Sequence, residues 1–305
     1  MERHPIDIAT LQQKKQRGEK ITMLTAYDAA WSRLLDEAGV DTILVGDSAA
    51  NVVLGYRDTL PVTMDEMIVL CRAVSRGVTW AMVIGDMPFM SYNTSIPEAI
   101  HNAGRFIKEG GAVGVKLEGG TAVVETVRAF VRAGIPTVGH LGLTPQTASM
   151  IGGYRCQGRT ASTARRILDD ALLLQDAGVF LLVLECVPER VAAEIAKRVA
   201  VPVIGIGAGG GVDGQVLVLH DMLGFGRTGH SPRFVKRFGS VGAQALDAVT
   251  SYCREVQSGT FPAADHSFAI PEEEWAGFQA GLGKSKSKGT TGTRARGRSR
   301  HRRSR

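Results

Sequence analysis

The stretch Thr42-Ile-Leu-Val-Gly-Asp47 is a short β-branched and aliphatic run that ends in a carboxylate. The same pattern returns at Ala81-Met-Val-Ile-Gly-Asp86 and at Leu181-Leu-Val-Leu-Glu185. Between them lie Val115-Lys-Leu-Glu118 and Pro136-Thr-Val-Gly-His140, two further β-rich runs that carry ionisable side chains near their ends. Such short apolar runs are typical of buried parallel strands. Five strands that carry ionisable side chains near their C-terminal ends, and whose C-terminal ends meet at one place, predict an active site.

Outward from these runs, apolar β-rich segments alternate with segments of helical period along residues 18–255. We predict strands near 21–27, 42–46, 81–85, 113–117, 136–141, 180–184, 202–206 and 215–219. Eight strands in βα alternation predict an α/β fold of the (β/α)8 TIM barrel type, in which catalytic residues sit at the C-terminal strand ends. A doubly wound open sheet is the alternative, and Gly205-Ile-Gly-Ala-Gly-Gly210 matches its G-x-G-x-x-G pattern. That match follows the seventh strand rather than the first, which argues against it.

Length and composition place the chain among soluble globular proteins rather than secreted or membrane proteins. It has 305 residues, of which 44% are hydrophobic, enough for a sizeable core. Its four cysteines stand far apart, which fits a reducing compartment. We see neither a signal peptide pattern nor an apolar run long enough to span a bilayer. The expected location is therefore the cytoplasm.

The basic character of the chain belongs to its C-terminal tail. Residues 284–305 hold ten Lys or Arg and no Asp or Glu, so the remaining chain has 26 basic and 30 acidic side chains. With almost no apolar side chain to bury, this tail is predicted to be disordered. It is either a solubilising extension or a weak, salt-sensitive contact for nucleic acid. We divide the chain into a barrel at 1–270, a helical extension at 271–283 and the tail at 284–305.

The acids at the strand ends predict a magnesium site. Asp47, Asp86 and Glu118 offer hard oxygen ligands, and no zinc-like Cys/His spacing competes with them. Mg²⁺ keeps positions open for water and substrate, which suits a bidentate small anion such as a 2-oxo acid. Lys116 can then neutralise the substrate carboxylate or a developing enolate. Each acid by itself could instead cap a helix or pair with a base, but five such strand ends together favour catalysis.

Two further side chains complete the predicted chemistry. Glu185 follows the apolar run Leu181–Leu184, a setting that raises a carboxyl pKa and suits a general base. His140 can hydrogen-bond the same anion. Cys186 is a tempting nucleophile, but adjacent strand residues point to opposite faces, so we expect it to pack in the core under a helix.

Longer strings of residues, in a fixed order, are similar to a known family. The chain resembles ketopantoate hydroxymethyltransferase over roughly residues 3–270, in the strings Val45-Gly-Asp-Ser48, Gly55-Tyr56, Thr59-Leu-Pro-Val-Thr63, Gly85-Asp-Met-Pro-Phe-Met-Ser-Tyr92, Val115-Lys-Leu-Glu-Gly-Gly120, Gly139-His-Leu-Gly-Leu-Thr-Pro-Gln146, Gly152-Gly-Tyr154, Leu184-Glu-Cys186, Ile204-Gly-Ile-Gly-Ala-Gly209, Asp213-Gly-Gln215 and Arg233-Phe-Val-Lys236. The resemblance implies a (β/α)8 barrel that transfers a one-carbon unit from 5,10-methylenetetrahydrofolate to 3-methyl-2-oxobutanoate. The product would be 2-dehydropantoate, on the way to pantothenate and coenzyme A.

Carried over by position, the resemblance also implies roles for single residues. Mg²⁺ would be held by Asp47, Asp86 and Glu118, the last either directly or through water. The 2-oxo acid would be held by Ser48 and Lys116 together with both aspartates. Glu185 matches the family's proton acceptor, His140 lies in the matching pocket, and the assembly would be a homodecamer.

Some residues depart from the family's pattern, and two other functions compete. Ala49-Ala50-Asn51, Arg57 and Gly209-Gly-Gly211 stand where other residues are expected, which affects loop packing and folate affinity rather than a catalytic group. The phosphoenolpyruvate mutase and isocitrate lyase group also binds 2-oxo acids through Mg²⁺, but its Lys-Lys-Cys-Gly-His-like loop is missing here. A nucleic-acid-binding protein with a relic barrel is disfavoured because the proposed site residues are all retained.

Overall fold

The computed structural model describes residues 3–225 and 232–284, and its centre is a closed barrel of eight parallel strands. Each strand pairs with the next one along the chain, and the last pairs with the first. The strands are β1 (Ile21–Thr25), β2 (Thr42–Val45), β3 (Met82–Asp86), β4 (Gly114–Glu118), β5 (Thr137–Gly142), β6 (Leu181–Glu185), β7 (Val203–Ile206) and β8 (Gly214–Leu217). The (β/α)8 prediction is confirmed, and barrel closure excludes the open doubly wound sheet.

Helices separate most of the strands, and local signals in the sequence fix their ends. The helices that the structure describes are α1 (Ile8–Arg17), α2 (Ala29–Ala38), α3 (Ala49–Val52), α4 (Met64–Gly77), α5 (Ile96–Lys108), α6 (Val124–Arg132), α7 (Ala161–Ala177), α8 (Glu189–Arg198), α9 (Leu219–Leu223), α10 (Val241–Ser258) and α11 (Glu272–Lys284). Thr63 and Glu66 form a reciprocal capping box at the start of α4. Gly39 ends α2 in the left-handed conformation, as its position predicts.

Helix α1 belongs to the N-terminal end of the barrel. Its Leu11 is fully buried within the apolar cluster that fills the barrel interior. Two ion pairs tie the helix to the strand region, from Lys14 Nζ to Asp41 Oδ1 at 2.5 Å and from Lys15 Nζ to Asp213 Oδ2 at 2.7 Å. We therefore look for the functional site at the opposite end of the barrel, where the strands have their C-terminal ends, as is usual for this fold.

The register of the strands sets the predicted site residues side by side. Asp86 on β3 is paired with Lys116 on β4, and Glu118 on β4 is paired with His140 on β5. Glu185 on β6 is paired with Gly142 of β5. Since neighbouring strands in a sheet lie about 5 Å apart, these charged side chains are within contact range before any side-chain rotation is considered.

The described residues form two compact units, which are divided between Ala245 and Leu246. The barrel belongs to the first. The described part of the second contains the remainder of α10 and all of α11, so the helix expected at 271–283 is present. The tail predicted at 284–305 lies outside the described residues, apart from Lys284. No helix in the described ranges has the length and apolar character needed to cross a membrane.

Candidate active site

A cavity of about 640 Å³ opens at the C-terminal ends of the strands. It is lined by all seven side chains that the sequence predicts for the site, namely Asp47, Ser48, Asp86, Lys116, Glu118, His140 and Glu185. Barrel closure brings them together because each lies within three residues of the C-terminal end of β2, β3, β4, β5 or β6. The convergence expected from the sequence is what the structure contains.

Lys116 occupies the centre of this charge cluster. Its Nζ lies 2.8 Å from Asp86 Oδ1, 3.8 Å from Glu118 Oε1 and 3.2 Å from His140 Nδ1. Burial by itself lowers the pKa of Lys116, but Asp86, Glu118 and Asp47 more than reverse this, so the pKa ends above its usual value. The ammonium group is therefore a permanent buried cation at neutral pH.

Asp47, two residues after the end of β2, lies against Asp86, the last residue of β3. The backbone N–H of Asp47 donates to Asp86 Oδ2 at 2.9 Å. Burial, and then the negative charges of Asp86 and Glu118, raise the pKa of Asp47 well above its usual value, against the opposing effect of Lys116. Burial also raises the pKa of Asp86, while Lys116 opposes the rise. Burial and mutual repulsion therefore make it unfavourable for both carboxyl groups to be ionised at the same time.

His140 joins the acid cluster to the predicted base. Its Nδ1 lies 3.4 Å from Glu118 Oε1, and its Nε2 lies 3.3 Å from Glu185 Oε2. Burial and the charge of Lys116 lower the pKa of His140, but the two glutamates outweigh both and raise it to about 9. The side chain of Glu185 is 16% exposed, compared with 1% for Glu118. Glu185 is therefore the carboxylate of this set that remains open to the cavity.

Ser48 is held by a partner that the sequence did not reveal. Tyr27 and Ser48 share a hydrogen bond of 2.8 Å between their hydroxyl oxygens. Burial raises the pKa of Tyr27, so its phenol stays protonated and Ser48 is kept at the cavity wall. Tyr27 carries no charge and stands outside the strings that resemble the family, which explains why it was missed.

Gln146 and Tyr92 are two further site residues to which the sequence interpretation gave no role. The amide Nε2 of Gln146 donates to Asp47 Oδ2 at 2.9 Å, and its backbone N–H donates to Glu118 Oε2 at 3.0 Å. Tyr92 donates its hydroxyl to Gln146 Oε1 at 2.6 Å. Both residues belong to strings that resemble the family, so the signal was present, but neutral side chains gave no electrostatic reason to select them.

Cys186 is not the core residue that strand alternation predicts. Strand β6 ends at Glu185, and Cys186 takes a positive φ of 48° and is only half-buried. Its N–H donates to Ile206 O, and its carbonyl accepts from the N–H of Gln157, so the turn is fixed by the backbone. Burial and the charge of Glu185 raise the pKa of the thiol to about 12. A protonated thiol is a poor nucleophile, so the prediction that Cys186 is not catalytic stands on different grounds.

The departures from the family's pattern have clear places in the structure. Ala49 and Ala50 are fully buried, whereas Asn51 and Arg57 line the cavity. Gly209 has φ +77°, and a Cβ there would lie 2.3 Å from Glu189 Cγ, so glycine is required. None of these positions displaces a predicted site residue.

The carboxylate oxygens of Asp47, Asp86 and Glu118 are of the kind that binds a divalent cation. In this structure, however, these side chains surround the ammonium group of Lys116 rather than a shared metal position. Within residues 3–225 and 232–284, no three His, Cys, Asp or Glu side chains are grouped closely enough to hold a metal ion. Asp86 Oδ1 is buried and has no well-aligned hydrogen bond among these residues, despite its proximity to Lys116. Mg²⁺ is commonly held by only one or two carboxylates plus water and substrate. Asp47 and Asp86 fit that requirement.

The fold and the ionisable side chains gathered at the C-terminal strand ends together define an enzyme of the (β/α)8 class. A sequence model of ketopantoate hydroxymethyltransferase matches residues 5–264, and the chain belongs to this family. A relative from Clostridium novyi (strain NT), named 3-methyl-2-oxobutanoate hydroxymethyltransferase, is 53% identical over 265 residues, which cover 87% of this chain and 96% of the relative. A relative of the same name from Nitratidesulfovibrio vulgaris (strain DP4) is 53% identical and covers 92% and 91% of the two chains.

Solved structures of other enzymes share the fold. Phosphonopyruvate hydrolase in complex with oxalate and Mg²⁺ superposes with a TM-score of 0.57 at 12% identity, covering 93% of this chain and 99% of that one. A phosphoenolpyruvate phosphomutase from Streptomyces platensis subsp. rosaceus gives a TM-score of 0.55 at 14% identity, with coverage of 92% and 98%. At this level of identity the likeness shows a common barrel architecture.

Proposed function

We propose that this protein transfers a one-carbon unit from 5,10-methylenetetrahydrofolate to 3-methyl-2-oxobutanoate, giving 2-dehydropantoate for pantothenate synthesis. The names of its relatives supply the acceptor and the reaction type. The observation that carries the proposal is the cavity in which the buried cation Lys116 and the open carboxylate Glu185 lie on either side of His140. A 2-oxo acid needs a cation for its charge and a base for its C3 proton, and this cavity offers both.

Substrate binding is assigned to the buried end of the site. The carboxylate and ketone oxygens of the 2-oxo acid are placed near Lys116, Ser48 and the two aspartates. Asp47 and Asp86 would hold a Mg²⁺ ion, with Glu118 acting on it through water. When bound, the ion would supply Lewis-acid polarisation of the ketone, which acidifies the neighbouring C–H bond.

Proton transfer is assigned to Glu185. Its carboxylate removes the proton from C3 of the 2-oxo acid, and the electron pair of that C–H bond moves into the C2–C3 bond as the enolate forms. Water adds to the methylene carbon of the folate and both of its C–N bonds break, which releases tetrahydrofolate and leaves the carbon as formaldehyde. The enolate carbon attacks this carbon, and the resulting alkoxide takes up a proton to become the hydroxyl group of the product. The imidazole of His140, with Nε2 3.3 Å from Glu185 Oε2, holds the carboxylate of the base in position before the transfer.

A lyase or phosphomutase reaction is the second candidate because the barrel resembles enzymes of that group. The chain lacks the Lys-Lys-Cys-Gly-His-like loop that such a reaction would use, and Cys186, the cysteine nearest the site in sequence, has a raised thiol pKa. These observations favour the transferase.

The direct test is an assay of 2-dehydropantoate formation from 3-methyl-2-oxobutanoate and 5,10-methylenetetrahydrofolate, with Mg²⁺ or with a chelator. We expect product only when the folate and the metal are both present. Asp47→Ala and Asp86→Ala should abolish this activity while the protein stays folded, whereas Asp169→Ala, an exposed residue paired with Arg165 on α7, should behave as wild type. Full activity in the chelator would refute the metal assignment.

Two properties of the assembled protein belong to the same proposal. We propose a cytoplasmic homodecamer, which for chains of 32.5 kDa is measured by light scattering during size-exclusion chromatography. A monomer or dimer at assay concentrations would refute the decamer.

A further inference from the structure

One neutral side chain, Gln146, makes a full set of hydrogen bonds inside the charged cluster. Its Nε2 donates to Asp47 Oδ2 at 2.9 Å and to the carbonyl oxygen of Met87 at 3.0 Å. Both partners are acceptors, so the orientation of the amide is determined by its surroundings. Its Oε1 accepts from the Tyr92 hydroxyl at 2.6 Å. The amide cannot rotate by half a turn without placing its oxygen against a carboxylate.

The backbone of the same residue holds a second acid. The N–H of Gln146 donates to Glu118 Oε2 at 3.0 Å, and the N–H of Glu118 lies 3.3 Å from the Tyr92 oxygen. Gln146 stands in the short 3₁₀ turn Pro145–Thr147 that follows β5 and is only 3% exposed. A single rigid position thus contacts one acid that follows β2 and another at the end of β4.

We propose that Gln146 is a positioning residue, which fixes the carboxylates of Asp47 and Glu118 in the orientation that the substrate and the divalent cation require. This inference rests on the proposed function, because it assigns those carboxylates to ligand binding. Tyr92 orients Gln146 in turn. Neither residue reacts; each acts through the acids it contacts.

The physical reason is the limited number of ways in which a short carboxylate can be held. Asp47 can rotate about its terminal bond, and its negative charge is repelled by Asp86 and Glu118 nearby. A donated N–H at Oδ2 offsets that repulsion and fixes the plane of the group, which leaves Oδ1 for a ligand. Partners of this kind commonly change metal affinity or activity when they are removed, because a ligand that must be reoriented binds less tightly.

The test is Gln146→Met, which keeps side-chain length and volume but removes both N–H donors and the carbonyl acceptor. The matched control is Gln157→Met, because Gln157 also follows β5 and, among the described residues, its side-chain amide donates only to the carbonyl oxygen of Arg155. Binding of Mg²⁺ alone to the substrate-free protein is measured by calorimetry, together with kcat at saturating Mg²⁺ and the melting temperature. We expect Gln146→Met to weaken Mg²⁺ affinity roughly 10- to 100-fold and to lower kcat by a similar factor. Gln157→Met should match wild type.

A purely structural role predicts a different result, namely a lower melting temperature with unchanged Mg²⁺ affinity and kcat, and that result would overturn the inference. Tyr92→Phe is a second variant, since it removes one hydroxyl and keeps the ring. It should weaken Mg²⁺ affinity in the same direction but less, on the order of 2- to 10-fold for one neutral hydrogen bond. Wild-type protein that binds Mg²⁺ but transfers no one-carbon unit would refute the proposed function alone, and the comparison of Mg²⁺ affinities would still decide the inference.

Discussion

Replacing Lys116 by methionine isolates the contribution of the buried cation to the stability of the barrel. Methionine has nearly the same length and volume, so little packing is lost. The side chains of Lys116, Asp86 and Glu118 are only 4%, 2% and 1% exposed. In wild type, Lys116 Nζ lies 2.8 Å from Asp86 Oδ1 and 3.8 Å from Glu118 Oε1. Without this ammonium group, the two carboxylates remain buried and repel each other with no cation between them.

The expected size of the effect follows from that burial. Removing one member of a buried ion pair costs about 3–5 kcal/mol, because the remaining charge is left uncompensated. The pKa of Lys116 is raised in the folded protein, so its contribution is complete below the unfolded-state value of about 10.4 and is lost only as pH rises through the folded value. At pH 7 the full loss in the free energy of unfolding should therefore be seen.

The assay is urea unfolding at pH 7 in a chelator, so that bound metal does not mask the missing cation. Arg165→Met is the control, since Arg165 pairs with Asp169 on α7 and the two side chains are 73% and 52% exposed. That variant should lose no more than about 1 kcal/mol. A Lys116→Met protein within about 1 kcal/mol of wild type would refute the view that this cation compensates the buried acids.

Three further predictions concern the base, the histidine and the tail. Glu185→Gln should bind 3-methyl-2-oxobutanoate but lose roughly 10²- to 10⁴-fold in C3 proton exchange, measured by NMR as solvent deuterium uptake; exchange at the wild-type rate would place the base elsewhere. His140 has a pKa raised to about 9, so the loss of unfolding free energy in His140→Gln should be constant below about pH 6.5 and shrink as pH rises to about 9. A loss that grows with pH would contradict this. Deleting residues 284–305 should leave turnover unchanged and abolish retention on DNA at about 50 mM salt, because the remaining chain is net negative. Reduced turnover would show that the tail supports the active site.

Short-range patterns in the sequence were enough to locate the strands and their charged ends. Each predicted strand begins within one residue of its observed start, because β-branched runs, flanking glycines and turn residues act over a few positions. The convergence of Asp47, Asp86 and Glu185 also followed from the sequence. In a parallel barrel all C-terminal strand ends lie at one rim, so knowledge of the fold class is enough to bring them together.

Only the tertiary structure decided which groups hold those acids in place. Gln146 is hydrogen-bonded to Asp47, which is 99 residues away in the chain, and Tyr27 is hydrogen-bonded to Ser48, which is 21 residues away. Such partners are neutral, and their contacts depend on distances of about 3 Å that no local pattern encodes. Cys186 shows the same limit, because β6 ends at Glu185 and the next residue turns with a positive φ, which leaves a side chain predicted to lie in the core only half-buried. The sequence alone determined the kind of site, because charge and strand pattern are local properties. Its geometry required the closed barrel, because only closure sets the distances between distant residues.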